Sequence, residues 1–225
     1  MKKYAIIVAG GTGSRMKGEI PKQFLLLNGK PVIWYSIEAF YNYDSELQLI
    51  LAIHPNFVDF WKQLCLEHKI SIPFKILNGG ETRFHSVKNA LDCIDADGFV
   101  AIHDAARPVI DTSFITQLFA EAEKHGSAIP GIALNDTIRI LEGNNSRQLN
   151  RTLLRAVQTP QVFNVLELKQ AYLQAFNPLF TDDASVMQSA GFPLYLTDGR
   201  AENIKITHPM DIALAEVMMK QYSGR

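Results

Sequence analysis

A glycine-rich turn follows the first apolar run of this 225-residue chain: Gly10-Gly11-Thr12-Gly13-Ser14-Arg15-Met16, then Pro21-Lys22-Gln23-Phe24. Glycines placed directly after a buried strand let backbone N–H groups close around phosphate oxygens. Arg15 and Lys22 bracket the turn with permanent positive charge. Nucleotidyl transfer needs such groups, because its transition state spreads negative charge over oxygens with little covalent help from the protein. Two better-known phosphate motifs fail here. The dinucleotide fingerprint wants a third glycine where Met16 stands, and the P-loop wants Gly-Lys-Ser/Thr where Gly18 is followed by Glu19. That leaves nucleotidyl transfer.

Further along, Asn78-Gly79-Gly80-Glu81-Thr82-Arg83-Phe84-His85-Ser86 lies between a strand and a helix. Its backbone and hydroxyl are placed to read a base at the carboxyl edge of an open sheet, although Ser86 also reads as a cap in the helix start. Asp104 ends an apolar run, in Asp-Ala-Ala-Arg-Pro. It can orient Mg²⁺ or a substrate hydroxyl, or brace its own turn. His103 reads as a packed strand-end residue. Asp95-Ala96-Asp97 imitates a metal motif of nucleotide-sugar glycosyltransferases, but it precedes its strand and reads as a solvated turn. Thr181-Asp182-Asp183-Ala184-Ser185 is a helix-start signal, and Lys205 can snorkel at a sheet edge.

The elements that must hold these residues form a regular series. Short apolar runs at 4–9, 47–53, 74–77, 99–103 and 127–132 read as strands buried on both faces. Helical periodicity at 32–40, 56–67, 83–94 and 113–124 separates them, predicting an α/β domain with an open, mostly parallel sheet. The rhythm breaks after Ile132. Residues 136–141 alternate with period two, 142–145 offer turn chemistry, and a second extended stretch runs from Gln148. This is a β-arm inserted at 134–156 within one domain spanning 1–225. A two-stranded arm is rarely stable alone, so it is expected to pack on a second subunit, giving a homodimer. Helices at 166–176 and 182–189, strands around Leu194 and Ile204, and an amphipathic helix at 211–221 complete the chain.

Composition excludes several classes. With 22 Lys plus Arg against 23 Asp plus Glu, the net charge is -1. No global basic field draws in nucleic acid or an anionic membrane. Two cysteines, Cys65 and Cys93, sit in apolar-periodic stretches and make neither a disulfide framework nor a zinc site. The opening apolar run is too short for a signal peptide or a membrane span, so the expected compartment is the cytoplasm.

Seven ordered blocks carry a family resemblance: Gly-x-Gly-x-Arg-Met, Pro21-Lys22-Gln23-Phe24, Gly79-Gly80-x-x-Arg83-x-x-Ser86, His103-Asp104-Ala105-Ala106-Arg107-Pro108, Gln158-Thr159-Pro160-Gln161, Thr181-Asp182-Asp183-Ala184-Ser185 and Asn203-Ile204-Lys205. Together, over nearly the whole chain, they resemble the 2-C-methyl-D-erythritol 4-phosphate cytidylyltransferases of non-mevalonate isoprenoid biosynthesis. The resemblance implies a Rossmann-like nucleotidyltransferase fold, with Mg²⁺ as cofactor. CTP and a sugar-alcohol phosphate are the implied substrates. It implies catalytic roles for Arg15, Lys22, Arg151 and Lys205. Nucleotide contacts would come from Ala9, Gly10, Gly11, Gly13, Gly80, Arg83, Ser86, Asp104 and Ala105. Contacts to the second substrate would come from Arg107, Thr137, Thr159 and Thr181, with Thr137 and Arg151 reaching across the dimer. Asp104 is the implied metal contact, the ion being held mainly through the CTP phosphates. Glu81 and Asn150 stand where the family commonly has aspartates, and Gly10 where it often has alanine. The rival readings are ribitol-5-phosphate cytidylyltransferase, which shares the first two blocks, and a non-catalytic nucleotide sensor, which would be expected to have lost Arg15, Lys22 or Lys205.

Overall fold

The computed structural model describes residues 1–11 and 20–222. Strand β1 (Lys2–Ala9) pairs in parallel with β4 (Gln48–Ile53) on one side and β6 (Gly98–Asp104) on the other; β4 in turn pairs in parallel with β5 (Lys75–Asn78). The chain thus builds outward from β1 through β4 to β5, then crosses back to lay β6 on the opposite side of β1. In an open α/β sheet such a reversal leaves a crevice at the carboxyl ends of the two strands flanking it. Here those ends are Ala9 and Asp104.

Both faces of the sheet are covered, which is why β1 is a continuous apolar run. Ala5, Ile7 and Ala9 point into a core with Ile33, Ile37 and Phe40 of α1 (Val32–Tyr43), Trp61 and Leu64 of α2 (Val58–Glu67), and Phe114 and Leu118 of α4 (Thr112–His125). Tyr4 and Ile6 point the other way. They meet Phe84 and Val87 of α3 (Arg83–Leu91), Leu168 of α5 (Val165–Ala171), and Val186 and Met187 of α6 (Asp183–Ser189). A small hairpin, β2 (Leu26–Leu27) and β3 (Lys30–Pro31), leads into α1. The closing helix α7 (Met210–Tyr222) covers Leu27, Val109 and Ile206 through Ala215.

Beyond β6 the sheet changes character. Strand β7 (Ser127–Ala133) is joined in antiparallel fashion by β10 (Arg155–Val157) and β11 (Gln161–Asn164), and in parallel by β12 (Leu196–Asp198); β11 also pairs antiparallel with β6. Between the pairs Val157↔Gly131 and Val162↔Ala128, four residues (158–161) oppose only two (129–130). The surplus bulges out of the ladder and brings Thr159 to the end of β6, where its Oγ1 accepts from Asp104 N–H, a common way to aim side chains next to a site.

The excursion between β7 and β10 holds the hairpin β8 (Arg139–Glu142) and β9 (Asn145–Gln148), turned by Gly143-Asn144 with Gly143 at φ 62°. Several boundaries differ from the sequence expectation. The first arm strand starts at Arg139 rather than 136, its partner at Asn145 rather than 148, and residues 155–157 belong to the main sheet, so the excursion ends at 154. The helix expected to reach 176 ends at Ala171. The stretch around Ile204 is no strand: its tie to the sheet edge is Ile206 N–H donating to Ala106 O at 2.8 Å.

Candidate active site

A cleft of 370 Å³ opens at the crevice between β1 and β6. Its walls are the ends of the parallel strands and the loops after them: Ala9, Gly10 and Gly11 after β1, Gly80 to Arg83 after β5, and Asp104 to Ala106 after β6, with Lys22, Gln23, His54 and Lys205. Two of these glycines sit at close approaches. A Cβ on Gly10 would come within 3.0 Å of Ser86 Oγ, and one on Gly80 within 2.4 Å of His85 Cβ. Ser86 lies behind this loop and is 1% exposed. Its hydroxyl accepts from Gly80 N–H at 3.0 Å and donates to Thr82 O at 2.9 Å. The N-cap of α3 is Thr82, not Ser86.

A smaller recess of 210 Å³ adjoins the cleft, lined by Arg107, Gln158, Thr159, Gln161, Thr181 and Asp182. Arg83, Asp104 and Lys205 line both spaces and form the wall between them. Lys205 Nζ lies 2.6 Å from Asp104 Oδ2. Arg83 Nε lies 3.2 Å from Asp104 Oδ1, and its Nη2 is 2.6 Å from Asp183 Oδ2. Asp183 in turn accepts from Tyr172 Oη at 2.7 Å. Burial works to raise the Asp104 pKa, but Arg83, Lys205 and Arg107 outweigh it and hold the carboxyl well below the usual carboxylate range. Arg83 shows the reverse: burial opposes its charge, and Asp183 and Asp104 more than restore it.

Behind the wall His103 ties three segments together. Its Nε2 is 3.1 Å from Arg107 O and its Nδ1 is 3.2 Å from Thr159 Oγ1. A carbonyl only accepts, so the proton sits on Nε2 and the Thr159 hydroxyl donates to Nδ1. Asp104 N–H then donates to Thr159 Oγ1 at 3.0 Å. Burial pushes the His103 pKa down to about 4, with Asp104 pulling against it, so the ring is neutral near pH 7. Arg107 donates from Nη1 to Asn203 O at 2.7 Å, while its buried Nε has no hydrogen-bond partner among the described residues.

The structure therefore gathers Ala9, Gly10, Gly11, Lys22, Gly80, Arg83, Asp104, Ala105 and Lys205 around one cleft, and Arg107, Thr159 and Thr181 around its neighbour. Thr137 and Arg151 are exposed on the excursion and line neither space. Arg15 and Gly13 lie outside the described residues. The model of the family 2-C-methyl-D-erythritol 4-phosphate cytidylyltransferase (IspD) matches residues 4–221.

The chain belongs to this family.

A relative of that name from Bacteroides thetaiotaomicron is 48% identical over 219 residues, covering 97% of this chain and 100% of the relative. Among solved structures, the 2-C-methyl-D-erythritol 4-phosphate cytidylyltransferase of Francisella tularensis superposes with a TM-score of 0.79 at 30% identity, covering 97% of this chain and 100% of that one. The enzyme of Thermus thermophilus gives 0.76 at 28%, covering 96% and 98%.

In this cytidylyltransferase, four residues without an assigned role in the sequence reading brace the site. Gln23 donates to the glycine loop. Gln158 donates to Arg200 O at 2.7 Å, and Gln161 links Asp182 Oδ2 to Ala184 N–H. Asp183 carries Arg83. The signal for them was carboxamides and a carboxylate inside otherwise apolar or helix-start blocks, since buried polar side chains exist to be hydrogen-bonded.

Proposed function

We propose that this chain transfers the cytidylyl group of CTP to 2-C-methyl-D-erythritol 4-phosphate, forming 4-diphosphocytidyl-2-C-methyl-D-erythritol and pyrophosphate. The observation that carries the reading is the two-sided wall: Arg83, Asp104 and Lys205 separate a nucleotide-sized cleft from a smaller recess in a chain of this family. In the cleft, glycine backbone surrounds the triphosphate. In the recess, Arg107 and Thr181 line the space for the sugar-alcohol phosphate. A phosphate oxygen of that substrate attacks the α-phosphorus of CTP, the bond to the bridging oxygen breaks, and pyrophosphate leaves. Lys22 and Arg15 stabilise the charge that develops there. Lys205 holds the attacking phosphate in line. A phosphate monoester has its second pKa near ~6, so no general base is required.

Mg²⁺ fits this site as a companion of the nucleotide. Among the described residues no three His, Cys, Asp or Glu side chains gather around one point, and both Asp104 oxygens already face cations. The triphosphate would be its main ligand with Asp104 the carboxylate at hand, and the ion would neutralise charge on the phosphates.

The working unit is a homodimer. The arm projects Leu141 at 81% exposed, and Leu153, later in the excursion, is 80% exposed. A bare two-stranded ribbon with such side chains needs a covering surface. A second copy, receiving Thr137 and Arg151 beside its recess, provides one. Cys65 and Cys93 are both unpaired thiols, which suits the reducing cytoplasm. No helix among the described residues is long and apolar enough to cross a membrane.

The test is pyrophosphate release from each of the four nucleoside triphosphates, with methylerythritol phosphate and then ribitol 5-phosphate. Release from CTP with methylerythritol phosphate is expected. Activity with ribitol phosphate alone overturns the substrate, and preference for another nucleotide overturns the cytidylyl donor.

A further inference from the structure

The Pro21-Lys22-Gln23-Phe24 block folds as a single 3-10 turn, Lys22–Phe24, and its side chains go in different directions. Phe24 is 2% exposed and packs against Phe57, Phe60 and Trp61, with ring centroids 5.8 to 6.1 Å away. That anchors the turn to α2 and the segment before it. Lys22 lines the cleft. Gln23, 3% exposed, sends its carboxamide under the glycine loop, where Nε2 donates to Ala9 O at 2.9 Å and to Gly11 O at 3.0 Å. Both amide hydrogens are thereby engaged.

These two carbonyls flank Gly10, whose other side lies close to Ser86, a Cβ there coming within 3.0 Å of Ser86 Oγ. The loop is held from both sides. A backbone carbonyl presents the negative end of its dipole, and one turned into the cleft would repel a triphosphate. Carbonyls bonded to a buried amide are kept away from that path, leaving the opposite edge of the backbone to the anion. We infer that Gln23 is a positioning residue for CTP: it sets the carbonyl orientation of Ala9 and Gly11, and so shapes the loop before the nucleotide arrives. This rests on the cleft being the CTP site.

The side chain touches the nucleotide loop and does not line the recess, so its effect should separate the two substrates. Gln23→Met keeps the length and loses both donors, and Gln23→Glu turns a carboxylate toward two carbonyls. Gln23→His retains a ring N–H. Each is compared with wild type by calorimetric CTP binding, by KM for both substrates and by thermal melting. CTP affinity is expected to fall about tenfold or more in the Met and Glu variants, with partial recovery in the His variant. The KM for methylerythritol phosphate should stay within about twofold, as expected for sites that do not share the lost bonds. A folded Met or Glu variant that binds CTP like wild type overturns the inference. So does an equal loss for both substrates, or an equal loss in all three variants. Wild-type protein that binds no CTP overturns the reading of the cleft itself, a result distinct from any difference among variants.

Discussion

Lys205 and Asp104 are 101 positions apart in the chain, yet the ammonium lies 2.6 Å from the carboxylate. Asp104 is held at the end of β6, and Lys205 rides on a segment stitched to Ala106 by one backbone hydrogen bond. Two residues earlier, Asn203 accepts from Arg107 Nη1 at 2.7 Å and donates to Thr159 O at 2.8 Å, so backbone anchoring and the ion pair together place the lysine. Asp104→Asn should release Lys205 while Arg83 keeps Asp183. Turnover is expected to fall about 10²-fold, the scale of losing one aligned charge in a transition-state site. The melting temperature should drop as well, because one partner of a part-buried pair is removed. An Asp104→Asn variant with wild-type kcat/KM for methylerythritol phosphate would contradict this placement.

Lys22 is expected to act on the rate and not on the fold. Lys22→Ala leaves Phe24 and Gln23 in the turn, so the urea midpoint should stay within the range of a surface substitution. The kcat should fall about 10²- to 10³-fold. Near-normal turnover would remove Lys22 from the charge-stabilising role.

His103 makes stability depend on mild acid. Its folded pKa of about 4 lies below the ordinary value of 6.5, so the unfolded chain takes up the proton first. Stability is then fully present above pH 6.5 and is lost as pH falls from about 6.5 toward 4, by up to ~3 kcal/mol. Asp104 adds its own loss only below its ordinary value of 3.8. Melting temperatures recorded from pH 7 to pH 4 should decline in wild type and decline less steeply in His103→Gln. Parallel curves for the two proteins would assign the acid sensitivity elsewhere.

Shared active sites can be read by mixing two dead variants. If Arg151 of one protomer serves the cleft that holds Lys22 of the other, a mixed dimer of Arg151→Ala and Lys22→Ala contains one intact site. Activity should reappear on mixing after subunit exchange. Leu141→Glu, on the exposed arm, should shift the sedimentation of the protein toward monomer and lower activity at dilute concentration. No recovery on mixing, with dimers present, would place Arg151 outside the site.

The parallel half of the sheet was legible because strands covered on both faces are uniformly apolar, as in Ile6-Ile7-Val8 and Val100-Ala101-Ile102. The glycine loop and Asp104 announced themselves by position at strand ends, and Arg83 through the family resemblance. What escaped was set by distant partners. Gln161-Val162-Phe163-Asn164 is too short and too polar at its ends to read as a strand, and it becomes one because β6 and β7 both lie beside it. Asp183 reads as a helix-start acid, but its carboxylate is engaged by Arg83 from 100 residues away. Ile204-Lys205-Ile206 has strand-like chemistry without a neighbouring strand, so it stays a single tethered segment.

The excursion of residues 134–154 leaves the sheet at Ala133 and returns at Arg155, and these two residues pair directly across the ladder. Its two ends are thus clasped by the core, whatever lies between them. Lengthening such a loop costs little, since closure entropy grows only with the logarithm of length. Evolution can accordingly retailor the arm, by insertion, shortening or exchange of its exposed leucines, without disturbing the strand that carries Asp104 or the two strands that flank Thr159.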